Sequence, residues 1–319
     1  MKNKTFLAGI ILLLVVVVFG QPAEIVGASA GYEYSVSGVM KYDDLLEEID
    51  KLQKVKLSTL SIEVSEVGHS VEDKPLYLLS IRDRRAKDNL KLLVISQQHG
   101  NEPSGTSAIF SLISDLTADY SRPGERKYDL RGITLLFLPM VNPDGTDYNS
   151  RNNANDKNIN RDWVSKQEPE TLAVCRVYEE YEPEIFLDLH EFTAFPYRSD
   201  FDLTYYPGAD ENSPQELQKL HTDFELRVDA IIEEKGYALD KISPKMETWT
   251  PGDKRLGGNY FALEHFCLSY TVETKGMPGG GSVPQLATRA EMQQTFMEAM
   301  LEFAADNRER IQRIVSSSR

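Results

Sequence analysis

Apolar residues at positions 42, 45, 46, 49 and 52 recur at helical spacing, with acids near the start, and predict a helix over residues 41–52. Leu60 to Val67 alternates apolar and polar side chains and reads as a half-buried strand. Residues 68–74 are turn-like and 75–81 a second strand, so the two form a hairpin. An apolar strand over 91–96, a helix over 104–116 and a buried strand over 132–140 follow. That order predicts parallel pairing through a right-handed crossover. Further helices are expected over 168–181, 214–235 and 285–314, and strands over 185–189 and 263–272. Residues 142–162 hold seven asparagines and few apolar side chains, which predicts a loop rather than core. Residues 192–213 read as irregular and 278–282 as a flexible glycine-rich loop. With no internal repeat and no linker composition, the pattern implies an α/β fold. It is read as one domain over residues 31–319, a mixed, mostly parallel twisted sheet flanked by helices.

Composition changes this picture little. Hydrophobic content of 41% and charged content of 27% over 319 residues suit a globular chain with ample core. The formal charge of -15 argues against nucleic acid as a partner, since phosphates would be repelled. Cys175, on a predicted helix, and Cys267, on a predicted strand, lack metal-type spacing and stand as either a disulfide or two buried thiols.

The first 30 residues read as a targeting segment. Lys2 and Lys4 precede an apolar or small run from Phe6 to Phe19, and Ala28-Ser29-Ala30 offers a cleavage site before Gly31. The run is shorter than the roughly 20 residues a spanning helix needs, so a cleaved signal is expected rather than stable membrane insertion. The mature protein is therefore expected to be secreted or periplasmic. With only residues 31–40 between the expected cleavage site and the first helix, no large inhibitory pro-segment is expected.

Candidate chemistry gathers at the carboxyl ends of the apolar strands, the edge where open α/β sheets bind ligands. His99 and Glu102 are three residues apart after one strand, so one small cation could touch both. Imidazole plus carboxylate suits zinc, with a third ligand from elsewhere. Gly100 is read as allowing a sharp turn, and Pro103 suits the first helical turn. His190 ends the strand Ile185–Leu189, with Asp188 on the same strand face as a neighbour. Glu273 comes directly after Ser269-Tyr270-Thr271-Val272, at the end of an otherwise apolar strand.

These motifs, in this order, resemble the zinc metallocarboxypeptidases of the carboxypeptidase A type. The resemblance runs from about Tyr42 to the last helix. It covers Gly68-His69-Ser70, His99-x-x-Glu102, Asn142-Pro143-Asp144-Gly145, Arg151, Asn160-Arg161-Asp162, His190 and Thr271-Val272-Glu273. It implies that His99, Glu102 and His190 bind one zinc per chain, leaving a position for water. Glu273 is then the general base that takes a proton from that water and passes it to the leaving amine. Arg151 matches the arginine that stabilises the oxyanion, and Asn160 with Arg161 the pair that grips the substrate's terminal carboxylate. The implied activity is an exported, zinc-dependent hydrolysis of the C-terminal peptide bond of peptides with a free carboxylate. A cell-wall peptidase or acyl-amino-acid amidohydrolase on the same scaffold is the alternative, and a non-catalytic binding module a third reading.

Two positions depart from the family pattern. Asn158 stands where the family often has an aspartate that supports a zinc-bound histidine. No tyrosine occurs between Trp249 and Leu256, where many members carry a mobile one; Tyr205, Tyr206 and Tyr260 are the available substitutes. Tyr260 falls near the family's specificity pocket and is carried as a substrate-binding residue. His69 and His221 are expected to face solvent and His265 to be structural. Met292, Phe296 and Met300 share one helix face and are expected in the core.

Overall fold

The computed structural model describes residues 31–87, 90–122, 124, 126–193, 200–240, 252–277 and 283–319; the expected signal segment 1–30 and the loop 278–282 lie outside the described residues. Helix α1 (Tyr42–Lys54) precedes the hairpin β1 (Leu60–His69) and β2 (Pro75–Asp83). β3 (Leu90–Ser96), α2 (Ser104–Ser121) and β4 (Ile133–Leu138) follow, then the short α3 (Pro143–Tyr148) and a 3-10 turn at Ile159–Arg161. The rest runs α4 (Pro169–Tyr181), β5 (Ile185–Thr193), β6 (Leu203–Pro207), α5 (Gln215–Glu234), β7 (Leu239–Asp240), α6 (Gly257–His265), β8 (Leu268–Met277) and α7 (Leu286–Ser318).

The described strands form one eight-stranded sheet in the order β1-β2-β4-β3-β5-β8-β6-β7. Its centre, β4-β3-β5-β8, is wholly parallel, and antiparallel pairs join β1 to β2, β2 to β4 and β6 to β8. The crossover β3-α2-β4 thus pairs in parallel, as the sequence order implies. Central strands read as continuous apolar runs because both faces are covered. Leu92 and Val94 of β3 join the core beneath α2, α5 and α7, while Leu93 and Ile95 join the core beneath α4 and α6. Met292, Phe296 and Met300 lie in the first of these.

The structure departs from the sequence reading in several places. The irregular 192–213 stretch contains β6, five residues long and flanked by turns. The start of the expected 263–272 strand is instead the end of α6, and β8 runs past Glu273 to Met277. The asparagine-rich stretch is not a surface loop throughout: Asn142, Asp144, Thr146, Asn153 and Asn160 are buried. Hydrogen bonds permit this burial. Asn142 donates to the carbonyl of Gln98 and accepts from the Gly145 N–H, while Asp144 accepts from the Ser70 hydroxyl and the Glu72 N–H.

His221 is a correction. Rather than facing solvent it is buried on α5, bridging the Leu217 carbonyl at Nδ1 (2.9 Å) and Ser269 of β8 at Nε2. The helical pattern places a polar residue on the outer face, but this imidazole finds backbone partners inside. Burial pushes its pKa down to about 4. His69 is exposed beside Glu66. Cys175 and Cys267 are both buried free thiols rather than a disulfide.

Candidate metal and catalytic site

Three adjacent parallel strands, β3, β5 and β8, carry the site at or near their carboxyl ends. β3 stops at Ser96, and the following turn takes Gln97 into the left-handed region (φ 50°). Gln97 is held there by side-chain contacts to Thr106, Thr146 and the Gly100 carbonyl. Gly100 serves by close approach rather than by a special backbone angle. A Cβ on it would lie 2.0 Å from the carbonyl carbon of Gly145, so only glycine lets this turn pack on α3.

The turn delivers His99 and Glu102, and β5 delivers His190, all three buried. One ligand atom from each lies within 4.8 Å of the others. Glu102 spans the two imidazoles, with Oε1 2.8 Å from His99 Nδ1 and Oε2 2.7 Å from His190 Nδ1; the two Nδ1 atoms are 3.1 Å apart. Each ring is backed on its far side. His99 Nε2 lies 3.0 Å from Asn158 Oδ1, and His190 Nε2 lies 3.0 Å from Asp188 Oδ1. Gln98 donates to both oxygens of Asp188. Two inward nitrogens, one carboxylate and outer acceptors that fix the rings form a donor set suited to zinc.

Charge balance follows. Burial would raise the pKa of Glu102, but His99 and His190 outweigh it and hold the carboxyl well below its ordinary value. Burial lowers the pKa of His99 against the pull of Glu102. For His190 burial is outweighed by Asp188 and Glu102, and its pKa is raised.

Glu273 stands directly opposite His190 in the β5–β8 register and so flanks it on the same sheet face. Arg151 reaches in from the asparagine-rich stretch, donating to Glu102 Oε1 at 2.9 Å from an otherwise exposed position. Arg161 is the second cation at the mouth. Burial and the Arg151 guanidinium lower its pKa, while Asp253 and Glu273 act in the opposite sense. The two guanidiniums and Glu273 therefore share one electrostatic neighbourhood.

Asn160 is only 5% exposed, and its amide is engaged inside. Oδ1 accepts from the Gly257 N–H (2.9 Å) and Trp163 Nε1 (3.2 Å), and Nδ2 lies 3.1 Å from His190 Nε2. Tyr260 is not brought to the ligand cluster. It stacks on Trp163 and meets Phe261 and His265 in the core beneath α6, with Lys166 over its ring. Tyr205 points to the opposite side of the sheet, bonded to Asp229 and packed on Tyr270 and Phe296. Tyr206 is buried across from Thr271, on the Glu273 side.

Two residues of the site were not singled out from sequence. Gln98 directly precedes His99, and nothing in its residue type marks it. Glu191 follows His190 directly and points to the other side of β5, where burial pushes its carboxyl up to about 7 against the pull of Arg289. An acid placed next to a ligand histidine was the available signal.

Residues 49–300 match the family described as zinc carboxypeptidase. Carboxypeptidase 2 of Trichophyton rubrum is 29% identical over 229 residues, covering 66% of this chain and 41% of its own length. The chain thus spans about two fifths of the length of the first curated relatives it matches. Among solved structures, a metallo-carboxypeptidase from Burkholderia cenocepacia superposes with TM-score 0.67 at 18% identity, covering 84% of this chain and 70% of that one. A metallo-carboxypeptidase from Pseudomonas aeruginosa in complex with (2-guanidinoethylmercapto)succinic acid gives TM-score 0.64 at 19% identity, over the same shares of the two chains. At these identities the structural likeness speaks for the fold.

Proposed function

The chain belongs to the zinc carboxypeptidase family, and on that premise we propose that it is a zinc-dependent metallocarboxypeptidase removing the C-terminal residue from peptides. The observation that carries the reading is the convergence of His99, Glu102 and His190 ligand atoms within 4.8 Å, with Glu273 on the adjoining strand. His99, Glu102 and His190 would hold one zinc ion. When bound, zinc supplies Lewis acidity toward water and the scissile carbonyl.

The remaining roles fall to the chain's own side chains. Glu273 accepts a proton from the attacking water at its carboxylate and returns it to the departing amine nitrogen. Arg151 offers positive charge to the oxyanion that develops on the scissile carbonyl. Arg161 pairs with the substrate's terminal carboxylate, which would relieve the crowding of two guanidiniums. Asn160 borders the same place, and Tyr260 would act on the terminal side chain only from behind Trp163.

Export is part of the proposal, with residues 1–30 removed and residues 31–319 as the mature enzyme. Among the described residues no helix is long and apolar enough to cross a membrane. The test is a mass-spectrometric digest of a mixed peptide library by purified residues 31–319, with and without a zinc chelator. Chelator-sensitive loss of single C-terminal residues is expected. Unchanged peptides, with one zinc confirmed per chain, would overturn the peptide substrate and direct attention to cell-wall and acyl-amino-acid substrates.

A further inference from the structure

On the face of β5 turned away from His190, Glu191 lies buried beneath the turn that carries His99 and Glu102. Its backbone holds the Glu102 carboxylate, and its side chain holds the start of α2. The Glu191 N–H donates to Glu102 Oε2 (3.1 Å), and its own Oε1 accepts from the Ser104 N–H (2.7 Å). That N–H is one of those left without an intrahelical acceptor at the start of α2, where the helix dipole also favours negative charge. Arg289 of α7 stands 3.6 Å from the same carboxylate oxygen and donates to the carbonyls of Gly276 and Pro284. Gly276 leaves the necessary space, since a Cβ there would lie 1.6 Å from Glu191 Oε2.

We infer that Glu191 is a positioning residue for the metal centre, pinning the 102–104 segment to β5 so that Glu102 and His190 keep their spacing before a cation arrives. The physical reason is that one residue grips both the ligand side chain and the backbone two residues beyond it. Neither grip touches the cation. Without the carboxylate, the Ser104 N–H would be buried with no acceptor, and the turn would shift to find one. This inference rests on the zinc reading given above.

The test measures zinc affinity by competition with a chromophoric chelator, alongside the melting temperature of the metal-free protein. Glu191→Gln keeps an acceptor for Ser104 and is expected to bind zinc within about threefold of wild type. The double variant Glu191→Met with Arg289→Met removes the buried pair as a unit, an exchange that is often neutral for stability. It is expected to lower the metal-free melting temperature less than Glu191→Ala, which leaves Arg289 without its carboxylate, while binding zinc roughly 10–100-fold more weakly, the range for disturbed outer supports of metal ligands. Glu191→Ala is a second variant with the same expected loss. Wild-type affinity in the double variant and in Glu191→Ala would overturn the inference, as would a loss in Glu191→Gln equal to theirs. Absence of zinc from the wild type would instead remove the metal reading on which the inference stands.

Discussion

His99 leans on Asn158 and His190 leans on Asp188, each across 3.0 Å, so one imidazole of the site is backed by a neutral amide and the other by a carboxylate. A carboxylate partner makes a ligand histidine more basic and holds its ring more firmly. Replacing Asn158 with Asp is expected to tighten zinc binding by about tenfold, the lower end of outer-partner effects. Chelator competition at fixed pH reads the change. An unaltered affinity would mean that the charge of this acceptor is immaterial to the site.

Glu273→Gln keeps the shape of the side chain and removes the proton acceptor. Zinc stoichiometry should stay at one per chain, while kcat falls by roughly 10²–10⁴, the usual worth of a general base. Paired metal analysis and initial rates check this, and full activity would remove Glu273 from the assigned role.

Arg161→Ala should act on substrate binding more than on turnover. Loss of a charge-assisted contact of roughly 1.5–3 kcal/mol predicts about a 10–100-fold rise in KM for peptides with a free C-terminal carboxylate. Zinc affinity should be unchanged. Amidated peptides, which lack that carboxylate, should be affected far less, and an equal loss for both kinds would place Arg161 elsewhere in the reaction.

His221 predicts an acid-side loss of stability unrelated to catalysis. Its folded pKa of about 4 lies below the ordinary 6.5, so the unfolded chain binds the proton more readily. Stability from this group is complete above about pH 6.5 and declines as pH falls toward 4, by roughly 3 kcal/mol in total. Denaturant unfolding at several pH values should show a steeper decline for wild type than for His221→Gln. Identical slopes would mean that the imidazole charges without unfolding the protein.

The parts of this molecule that follow from local pattern were legible in its sequence, and the parts that depend on distant partners were not. The apolar runs of β3 and β5 and the spacing in α7 announce themselves because burial on two faces leaves a continuous apolar run and burial on one face of a helix a periodic one. The His99–Glu102 spacing is weak by itself; it gains weight, as Asn158 does, only from the family resemblance that the ordered motifs carry together. β6 escaped notice because five residues between turns carry little periodicity, and it becomes a strand by pairing with β8. The burial of Asn142 and Asp144 was equally hidden, since it depends on Gln98, Ser70 and Glu72 presenting partners from other segments. His221 was misplaced for the same reason, its partner being Ser269 of β8.

The arrangement of ligands also bears on how the chain comes to be folded. His99 follows β3, and His190 and Glu273 lie on the neighbouring parallel strands β5 and β8, yet more than half of the chain separates the first from the last. Parallel strands cannot register until their crossovers have formed, and such long-range closure is slow. On the proposed metal reading, zinc would therefore enter a scaffold already built rather than nucleate it, unlike small domains that collapse around their metal. Refolding of the stripped protein should accordingly proceed at the same rate with or without zinc, with the ion entering only as a late gain in resistance to unfolding.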